Sequence, residues 1–306
     1  MFEVDDDHWS IGNTVNIPHF VYSVVLKPKP LRLAANACLR AILPERIVRR
    51  EATIVLNQHD PVISGALVLD LYEREETSFF LRFCQPGAVF VDIGANSGYY
   101  TALFLARAGA ESRAVAMEPD PECYELLQRT VKANGGSNAT CLQMAAADAP
   151  GTAYLYQNAD NRGDNRLYWH DKAASKCRVP VTNVDSILSD LRIPEVHLIK
   201  MDVQGFEAIA LKGMERTLAS ATRLILMSEF WPQGIENTGE DPVAMLRFLK
   251  SLGLQVFHLG RGGRLAPVDD YERFALSFPG GRYTTIVAIK GEDPMQCSFS
   301  HKTAAA

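Results

Sequence analysis

Residues 89–98 read Val89-Phe-Val-Asp-Ile-Gly-Ala-Asn-Ser-Gly98, and this stretch decides the fold. The run up to Asp92 is apolar, which predicts a strand buried on both faces, as in a parallel sheet covered by helices. The turn with Gly94 and Gly98 lets a ligand approach the backbone closely, and the helix that follows offers N–H groups to an anionic group. Its GxxxG spacing differs from the GxGxxG of dinucleotide-binding dehydrogenases, which makes that class a weak alternative.

The rest of the chain repeats this alternation of strand and helix. Asp120-Pro121 and Asp241-Pro242 each open a helix with an N-cap residue followed by proline. Further strands are predicted at residues 113–117, 140–145, 196–201, 223–228, 254–259 and 283–289. The alternation predicts an α/β fold with a mostly parallel sheet and helices on both faces. No helix is evident between the last two strands, so an antiparallel hairpin at one edge of the sheet is expected.

The limits of this alternation divide the 306 residues into three parts. Residues 1–85 lack it and are predicted to form an N-terminal cap, which ends at the breaker Gln85-Pro86-Gly87. Residues 86–290 are predicted to be one α/β domain, and residues 291–306 a disordered tail. A chain of this length can bury a full core without disulfides or structural metals.

Composition argues against several classes of protein. With 31 basic and 36 acidic residues the formal net charge is −5, so nonspecific nucleic-acid binding is not expected. No apolar run approaches the ~18 residues of a membrane span. The acidic first residues do not resemble a secretory signal, so a cytoplasmic protein is expected. The six cysteines form no CxxC pair and the seven histidines no ligand-spaced pair, so spacing predicts no metal site.

Carboxylates follow four of the predicted strands. They are Asp92, Glu118, Asp202 and Glu229. Because the carboxyl ends of parallel strands share one edge, that edge is expected to be strongly negative and to suit a nucleoside ligand with a cationic centre. Glu118 can accept both ribose hydroxyls of such a ligand, although a solvated loop acid would fit the same pattern. Asp148, after the third strand, can accept from an adenine amino group, or can simply form a turn.

Three segments together are similar to the FkbM-type methyltransferases, which are class I S-adenosylmethionine-dependent enzymes that mostly O-methylate sugars and natural products. The segments are Asp92-Ile-Gly-Ala-Asn-Ser-Gly98, Glu118-Pro119 and Ile199-Lys-Met-Asp-Val-Gln-Gly-Phe-Glu207. Tyr72-Glu73 also resembles the family's segment ahead of the cofactor turn. The resemblance covers about residues 60–290 and implies a seven-stranded Rossmann-like sheet with an antiparallel final strand. Gln204 departs from the family, which usually has Glu there.

The resemblance implies a role for each matching residue. The implied cofactor is S-adenosylmethionine. Its methionine portion would be held by the turn residues Gly94, Ala95, Asn96 and Gly98, its ribose by Glu118 and its adenine by Asp148. Asp92, at the end of the strand before the turn, is also expected to contact the cofactor. The geometry of the predicted strand ends, and not the resemblance, orders the candidate general bases as Asp202, Glu229 and Glu73. The acceptor, a small sugar or natural product, would contact Tyr72, Asn165, Arg166 and Trp231. A homo-oligomer in which the predicted N-terminal cap contacts a second subunit is compatible with the sequence.

The polar loop 158–170 lies between two predicted strands, at residues 152–157 and 178–184. Its arginines, asparagines and aromatic rings suit a sugar-binding lid, and a solvated loop fits equally well. Three further alternatives stay open: an N-methyltransferase, a non-catalytic interaction module, and a metal-assisted enzyme in which Asp202 and Glu229 share a divalent ion. A nucleic-acid methyltransferase would need an [DN]PP[YF] motif where Asp202-Val-Gln-Gly stands.

Overall fold

The computed structural model describes residues 42–158 and 161–291. The predicted tail therefore lies outside the described residues apart from Gly291, as do the first 41 residues of the predicted cap. The strands are β1 (Arg46–Arg49), β2 (Ala52–Val55), β3 (Val89–Ile93), β4 (Arg113–Met117), β5 (Ala139–Leu142), β6 (Ala145–Ala146), β7 (Gly151–Asn158), β8 (Ala173–Thr182), β9 (Leu198–Met201), β10 (Leu224–Phe230), β11 (Gln255–Gly260), β12 (Arg264–Pro267) and β13 (Thr284–Lys290).

Helices alternate with these strands as the sequence predicted. They are α1 (Pro61–Val68), α2 (Arg74–Phe80), α3 (Tyr99–Ala108), α4 (Pro121–Ala133), α5 (Val184–Asp190), α6 (Glu207–Lys212), α7 (Glu215–Ser220), α8 (Pro232–Asn237), α9 (Pro242–Ser251) and α10 (Tyr271–Leu276), with 3₁₀ turns at Arg162–Asp164 and Arg261–Gly263. Both predicted Asp-Pro openings are confirmed, because Asp120 and Asp241 accept backbone N–H groups at the starts of α4 and α9.

The main sheet confirms the predicted α/β class and its Rossmann-like character. Its strand order is β12-β11-β13-β10-β9-β3-β4-β5, and the five strands from β5 to β10 run parallel. β3 pairs with β4 on one side and β9 on the other, so the stretch that begins at Val89 is central. Every residue of β10 is buried, as expected for a strand covered on both faces.

Two details of the predicted sheet are wrong. The final strand β13 is antiparallel and pairs with β11, as predicted. The sheet has eight strands instead of seven, however, and β13 lies between β10 and β11 instead of in a pair at the edge. The edge is formed by β12, a four-residue strand that ends at Pro267, and α10 lies between the last two predicted strands. A short strand with an edge proline carries no clear alternation, which is why the pattern did not reveal it.

Helices cover both faces of this sheet. One face packs against α5 to α10, and the other packs against α1 to α4 together with the β1–β2 hairpin. On the second face the rings of Phe80 and Phe104 each lie 5.0 Å from the ring of Phe90 in β3. The described part of the predicted cap therefore shares one continuous core with the sheet.

A separate three-stranded sheet carries the polar loop to the carboxyl edge of the main sheet. β7 and β8 pair antiparallel, which confirms the predicted strand pair with longer bounds, and β6 pairs parallel to β8. Within the described ranges, no helix has the length and apolar character needed to cross a membrane.

Candidate active site

A cavity of about 450 Å³ lies at the carboxyl edge, where β3, β4, β9 and β10 end. Most of the residues predicted for the site line it. These are Tyr72, Glu73, Gly94, Asn96, Glu118, Asn165, Arg166, Asp202, Glu229 and Trp231. Asp92 and Ala95 line a small adjoining recess, which shares Gly94, Asn96 and Asp202 with the main cavity. A volume of this order is typical of a small-molecule site.

Two predicted cofactor residues line neither space. Gly98 is the N-cap of α3 with φ +85°, and a Cβ there would lie 2.8 Å from a side-chain carbon of Leu127. Its glycine character thus serves the start of the helix and its packing on α4. Asp148 is exposed and lies outside the residues that line the cavity. The cavity wall next to Glu118 is instead apolar, with Met144 and Ala145 among its members.

The turn at Gly94 contacts the ends of three strands, β3, β4 and β9. Its φ is +79°, and a Cβ at this position would lie 2.0 Å from the backbone oxygen of Asp202. The backbone N–H groups of Gly94 and Ala95 both donate to the carbonyl of Met117 at 3.0 Å. The close approach predicted for this glycine is therefore an approach to the chain's own backbone, which fixes the two motifs against each other.

Glu118 is buried, at 7% exposed, and faces the cavity. Its Oε2 accepts from the backbone N–H of Asn96 and its Oε1 from that of Asp120, each at 2.8 Å. Each carboxylate oxygen keeps a further lone pair, so a ligand diol can still donate to it. Burial raises the pKa of Glu118 to about 8.

The acids at the ends of β9 and β10 lie close together. Oxygen atoms of Asp202, Glu207 and Glu229 lie within 4.8 Å of one another. The Nε2 of Gln204 donates to Asp202 Oδ1 at 2.8 Å and to Glu229 Oε2 at 3.1 Å. Burial, reinforced by the charge of Asp202, raises the pKa of Glu229 well above its ordinary value. We call Asp202, Glu207 and Glu229 the acid cluster.

Lys200 connects the acid cluster to Glu73. Its Nζ lies 3.6 Å from Asp202 Oδ2 and 3.8 Å from Glu73 Oε2, and the hydroxyl of Tyr100 donates to the same Glu73 oxygen at 2.5 Å. Burial acts to lower the pKa of Lys200, but the nearby carboxylates outweigh it and raise that pKa. The sequence argument missed this residue. The signal was available, because Lys200 is the one charged side chain in the otherwise apolar strand β9.

Arg166 and Trp231 form one wall of the cavity. The guanidinium carbon of Arg166 lies 4.5 Å from the ring centroid of Trp231, and Arg166 Nε donates to Asp164 at 2.8 Å. Trp231 Nε1 donates to the backbone oxygen of Gly280 at 2.9 Å, which fixes the ring. The polar groups on this wall are thus held in place before any acceptor arrives.

The loop 161–167 is tied to the core beneath it. The backbone N–H of Arg162 donates to Asp60 Oδ2, and its guanidinium donates to Glu122 Oε2, each at 2.8 Å. Asn165 Nδ2 donates to Asp120 Oδ2 at 3.1 Å. The sequence did not indicate that these acids anchor the loop, because they lie some 40 to 100 residues away along the chain.

Residues 92–256, more than half of the chain, match the family model described as the methyltransferase FkbM domain. The chain belongs to the FkbM methyltransferase family. It is a methyltransferase of the S-adenosylmethionine-dependent class, as the three sequence segments predicted.

Three proteins resemble this FkbM methyltransferase at 24–25% identity. Methyltransferase sdnD of Sordaria araneosa is 25% identical over 175 residues, which are 47% of this chain and 67% of that protein. Methyltransferase 1 of Beauveria bassiana is 24% identical over 144 residues, 41% of this chain and 57% of that protein. The AMB antimetabolite synthetase AmbE of Pseudomonas aeruginosa is 24% identical over 58% of this chain but only 10% of its own length. A crystal structure of methyltransferase FkbM from Methylobacillus flagellatus covers 85% of this chain and 59% of its own, with 18% identity and a TM-score of 0.43.

Proposed function

We propose that this protein transfers the methyl group of S-adenosylmethionine to a hydroxyl of a sugar or another natural product. The observation that carries the proposal is the shared cavity. The Gly94 turn and Glu118 line it together with Asp202, Glu229 and Glu73. A nucleoside cofactor and an acceptor hydroxyl can therefore meet in one space, with the reacting atoms beside the acids.

The residues present fit the cofactor. Glu118 has unused lone pairs for a ribose diol, and the apolar wall with Met144, Ala145 and Leu155 suits a flat nucleobase. Gly94, Ala95 and Asn96 would face the methionine portion, next to the carboxylates of Asp92 and Asp202. The bound cofactor supplies an electrophilic methyl group on a positively charged sulfur, and a negative edge favours such a charge.

The methyl transfer balances in atoms and electrons with an acceptor hydroxyl, the cofactor and a carboxylate of the cavity. A lone pair of the acceptor oxygen forms the new C–O bond while the C–S bond breaks, and its electron pair stays on sulfur to leave neutral S-adenosylhomocysteine. The hydroxyl proton passes to a carboxylate, for which Asp202 is the first candidate because it lines both the cavity and the recess. Proximity in such a site contributes ~7–11 kcal/mol in well-oriented cases, and a general base ~10²–10⁴-fold in rate.

The acceptor class follows from the wall that Arg166 and Trp231 form. Arg166 and Trp231 present hydrogen-bonding and flat apolar surfaces together, which suits a sugar or a glycosylated compound. Tyr72, Asn165 and Tyr283 also line the cavity and add polar groups to it. One relative is named an antimetabolite synthetase, which fits a small natural product as the acceptor.

Calorimetric titration with S-adenosylhomocysteine tests the cofactor part of the proposal. We expect saturable binding to the wild-type protein, at least tenfold weaker binding to Glu118→Ala, and unchanged binding to Glu125→Ala. Glu125 is an exposed acid on α4, the helix that follows Glu118 in the chain, so its variant controls for the loss of charge. Binding of NADH in place of S-adenosylhomocysteine would contradict the proposal.

A screen of hydroxylated sugars for release of S-adenosylhomocysteine tests the acceptor part. We expect turnover with at least one sugar or glycoside, and at least a hundredfold loss of rate in Asp202→Asn with cofactor binding retained. Turnover only with amine acceptors would favour N-methylation.

A further inference from the structure

We propose that Asp202, Glu207 and Glu229 form a binding site for one hard divalent cation at the cavity that Asp202 and Glu229 line. The spacing of motifs predicted no metal site, and the sequence offered only Asp202 and Glu229 as a pair that could share an ion. The tertiary structure adds a third carboxylate to that pair. A catalytic role for the bound cation rests on the proposed function, but binding of the cation does not.

The geometry of the acid cluster fits one ion. Each of the three residues offers one oxygen, and these oxygens lie within 4.8 Å of one another. Ca²⁺ binds oxygens at about 2.3–2.6 Å and Mg²⁺ at about 2.0–2.1 Å, so oxygens on opposite sides of one ion are roughly 4–5 Å apart. Asp202 and Glu229 line the cavity, so further positions on the ion would face the acceptor.

Glu207 supplies a second and independent observation. It is 0% exposed, and its Oε1 accepts from the backbone N–H of Val203 at 3.1 Å. Its Oε2 is buried and has no hydrogen-bond partner in the described structure. A buried carboxylate oxygen left unpartnered has lost its hydration without a replacement, and a cation beside it would satisfy it.

The charges around the cluster favour a cation. In the described part of the chain, Lys200 is the cation that forms ion pairs with Asp202, and it shares its charge with Glu73. Gln204 bridges Asp202 and Glu229 through Nε2. An amide presents its oxygen instead of its nitrogen after a half-turn, so Gln204 does not block the ion and can add a ligand. Carboxylate and amide oxygens suit Mg²⁺, Mn²⁺ or Ca²⁺.

A cation at this place would assist the proposed transfer. The oxygen of an acceptor hydroxyl bound to the ion loses its proton more readily, because the positive charge stabilises the alkoxide. Asp202 would then hold the ion and orient the acceptor. The hydroxyl proton would pass instead to Glu73, the candidate base outside the acid cluster, which Lys200 links to Asp202.

Titration calorimetry of EDTA-treated, dialysed protein with CaCl₂, MgCl₂ and MnCl₂ tests this proposal. We expect one saturable site per chain for at least one of these salts. Glu207→Gln, which keeps the shape of the side chain, should weaken that binding at least tenfold, and Glu229→Gln should do the same. Glu236→Gln removes an exposed acid on the neighbouring helix α8 and should leave the affinity unchanged.

A second measurement does not depend on whether the variants fold. The cation should raise the thermal midpoint of the wild-type protein beyond the effect of NaCl at equal ionic strength, because a ligand that binds only the folded state stabilises it. Absence of both saturable binding and this shift would overturn the proposal, as would affinity unchanged in both cluster variants. Titration with S-adenosylhomocysteine on the same sample separates the two proposals. Cofactor binding without cation binding overturns only the cation site, and the reverse result overturns only the cofactor assignment.

Discussion

At the scale of single residues, Glu118 makes stability depend on pH. Burial raises its pKa from 4.5 to about 8 in the folded state. Between these values the folded chain holds one more proton than the unfolded chain, so the free energy of unfolding falls as pH rises, by up to about 1.4 kcal/mol per pH unit. The stabilisation is complete below pH 4.5 and lost above pH 8.

Glu118→Gln should remove this component of the pH dependence. Urea denaturation from pH 5 to pH 8 should show a flatter profile in the variant than in the wild type. Asp92, Glu207 and Glu229, whose pKa values burial also raises, leave a slope of the same sign in both proteins, so the test is the difference between the two profiles. Identical profiles would show that Glu118 is ionised in the folded protein.

Gly94 is the residue at which the two main motifs touch. Gly94→Ala would place a Cβ 2.0 Å from the Asp202 carbonyl oxygen at a φ of +79°. We expect a loss of roughly 2–5 kcal/mol of stability, from the left-handed backbone and from overpacking together. Gly87→Ala is the matched control, because Gly87 has φ +78° and nothing within 4 Å of its Cβ position. That variant should lose only roughly 1–2 kcal/mol in the same denaturation experiment.

At the scale of elements, Asp120 joins the start of α4 to the loop 161–167. Its Oδ1 caps the helix, while its Oδ2 accepts from Gln157 at 2.6 Å and from Asn165 at 3.1 Å. Asp120→Asn keeps a good N-cap residue but replaces the Oδ2 acceptor with a donor. We expect a loss of about 2–4 kcal/mol and faster hydrogen exchange in the loop.

The control for this change is Asp241→Asn. Asp241 also precedes a proline and caps α9, but it is exposed. Asn and Asp are nearly equal as N-caps, so this variant should stay within about 0.5 kcal/mol of the wild type. Equal losses in the two variants would mean that the effect lies in the cap and not in the loop.

Thr130 and Asn134 fasten the β1–β2 hairpin to α4. Thr130 Oγ1 accepts from the backbone N–H of Val55 at 3.0 Å, and Asn134 bonds both the N–H and the carbonyl of Thr53. Thr130→Val leaves the buried Val55 N–H without an acceptor and should cost about 1–3 kcal/mol. Thr152→Val, at an exposed position of β7, should change the urea midpoint little. A Thr130→Val protein as stable as the wild type would refute the fastening role.

At the scale of the whole molecule, the described residues before Pro86 share a core with the sheet. Phe79 and Phe80 are 0% exposed and belong to the same apolar cluster as Phe90 and Met227. We therefore expect one cooperative unfolding transition by calorimetry. We also expect that a variant from which residues 1–85 are deleted does not fold. Two separate transitions would instead support an independent cap.

The sequence predicted the fold correctly where the periodicity of apolar residues was strong. The parallel strands, the Asp-Pro helix starts and the acids at strand ends all follow from apolar runs and capping chemistry, which act over a few residues. It failed at β12 and at the position of β13, because sheet order depends on contacts between segments far apart in sequence. For the same reason Asp148 was expected at a cavity that it does not line. Lys200 was missed although its charge in an otherwise apolar strand was visible in the sequence.

The sequence by itself determined the class of the protein, because the segments at Asp92, Glu118 and Asp202 each combine a buried strand with a defined polar end. The tertiary structure alone decided how those ends meet. It brought Glu207 beside Asp202 and Glu229, set Gly94 against a carbonyl more than a hundred residues away, and fixed the polar loop on Asp60 and Asp120. Local patterns fix which side chains stand at a strand end, but only packing fixes the distances between them.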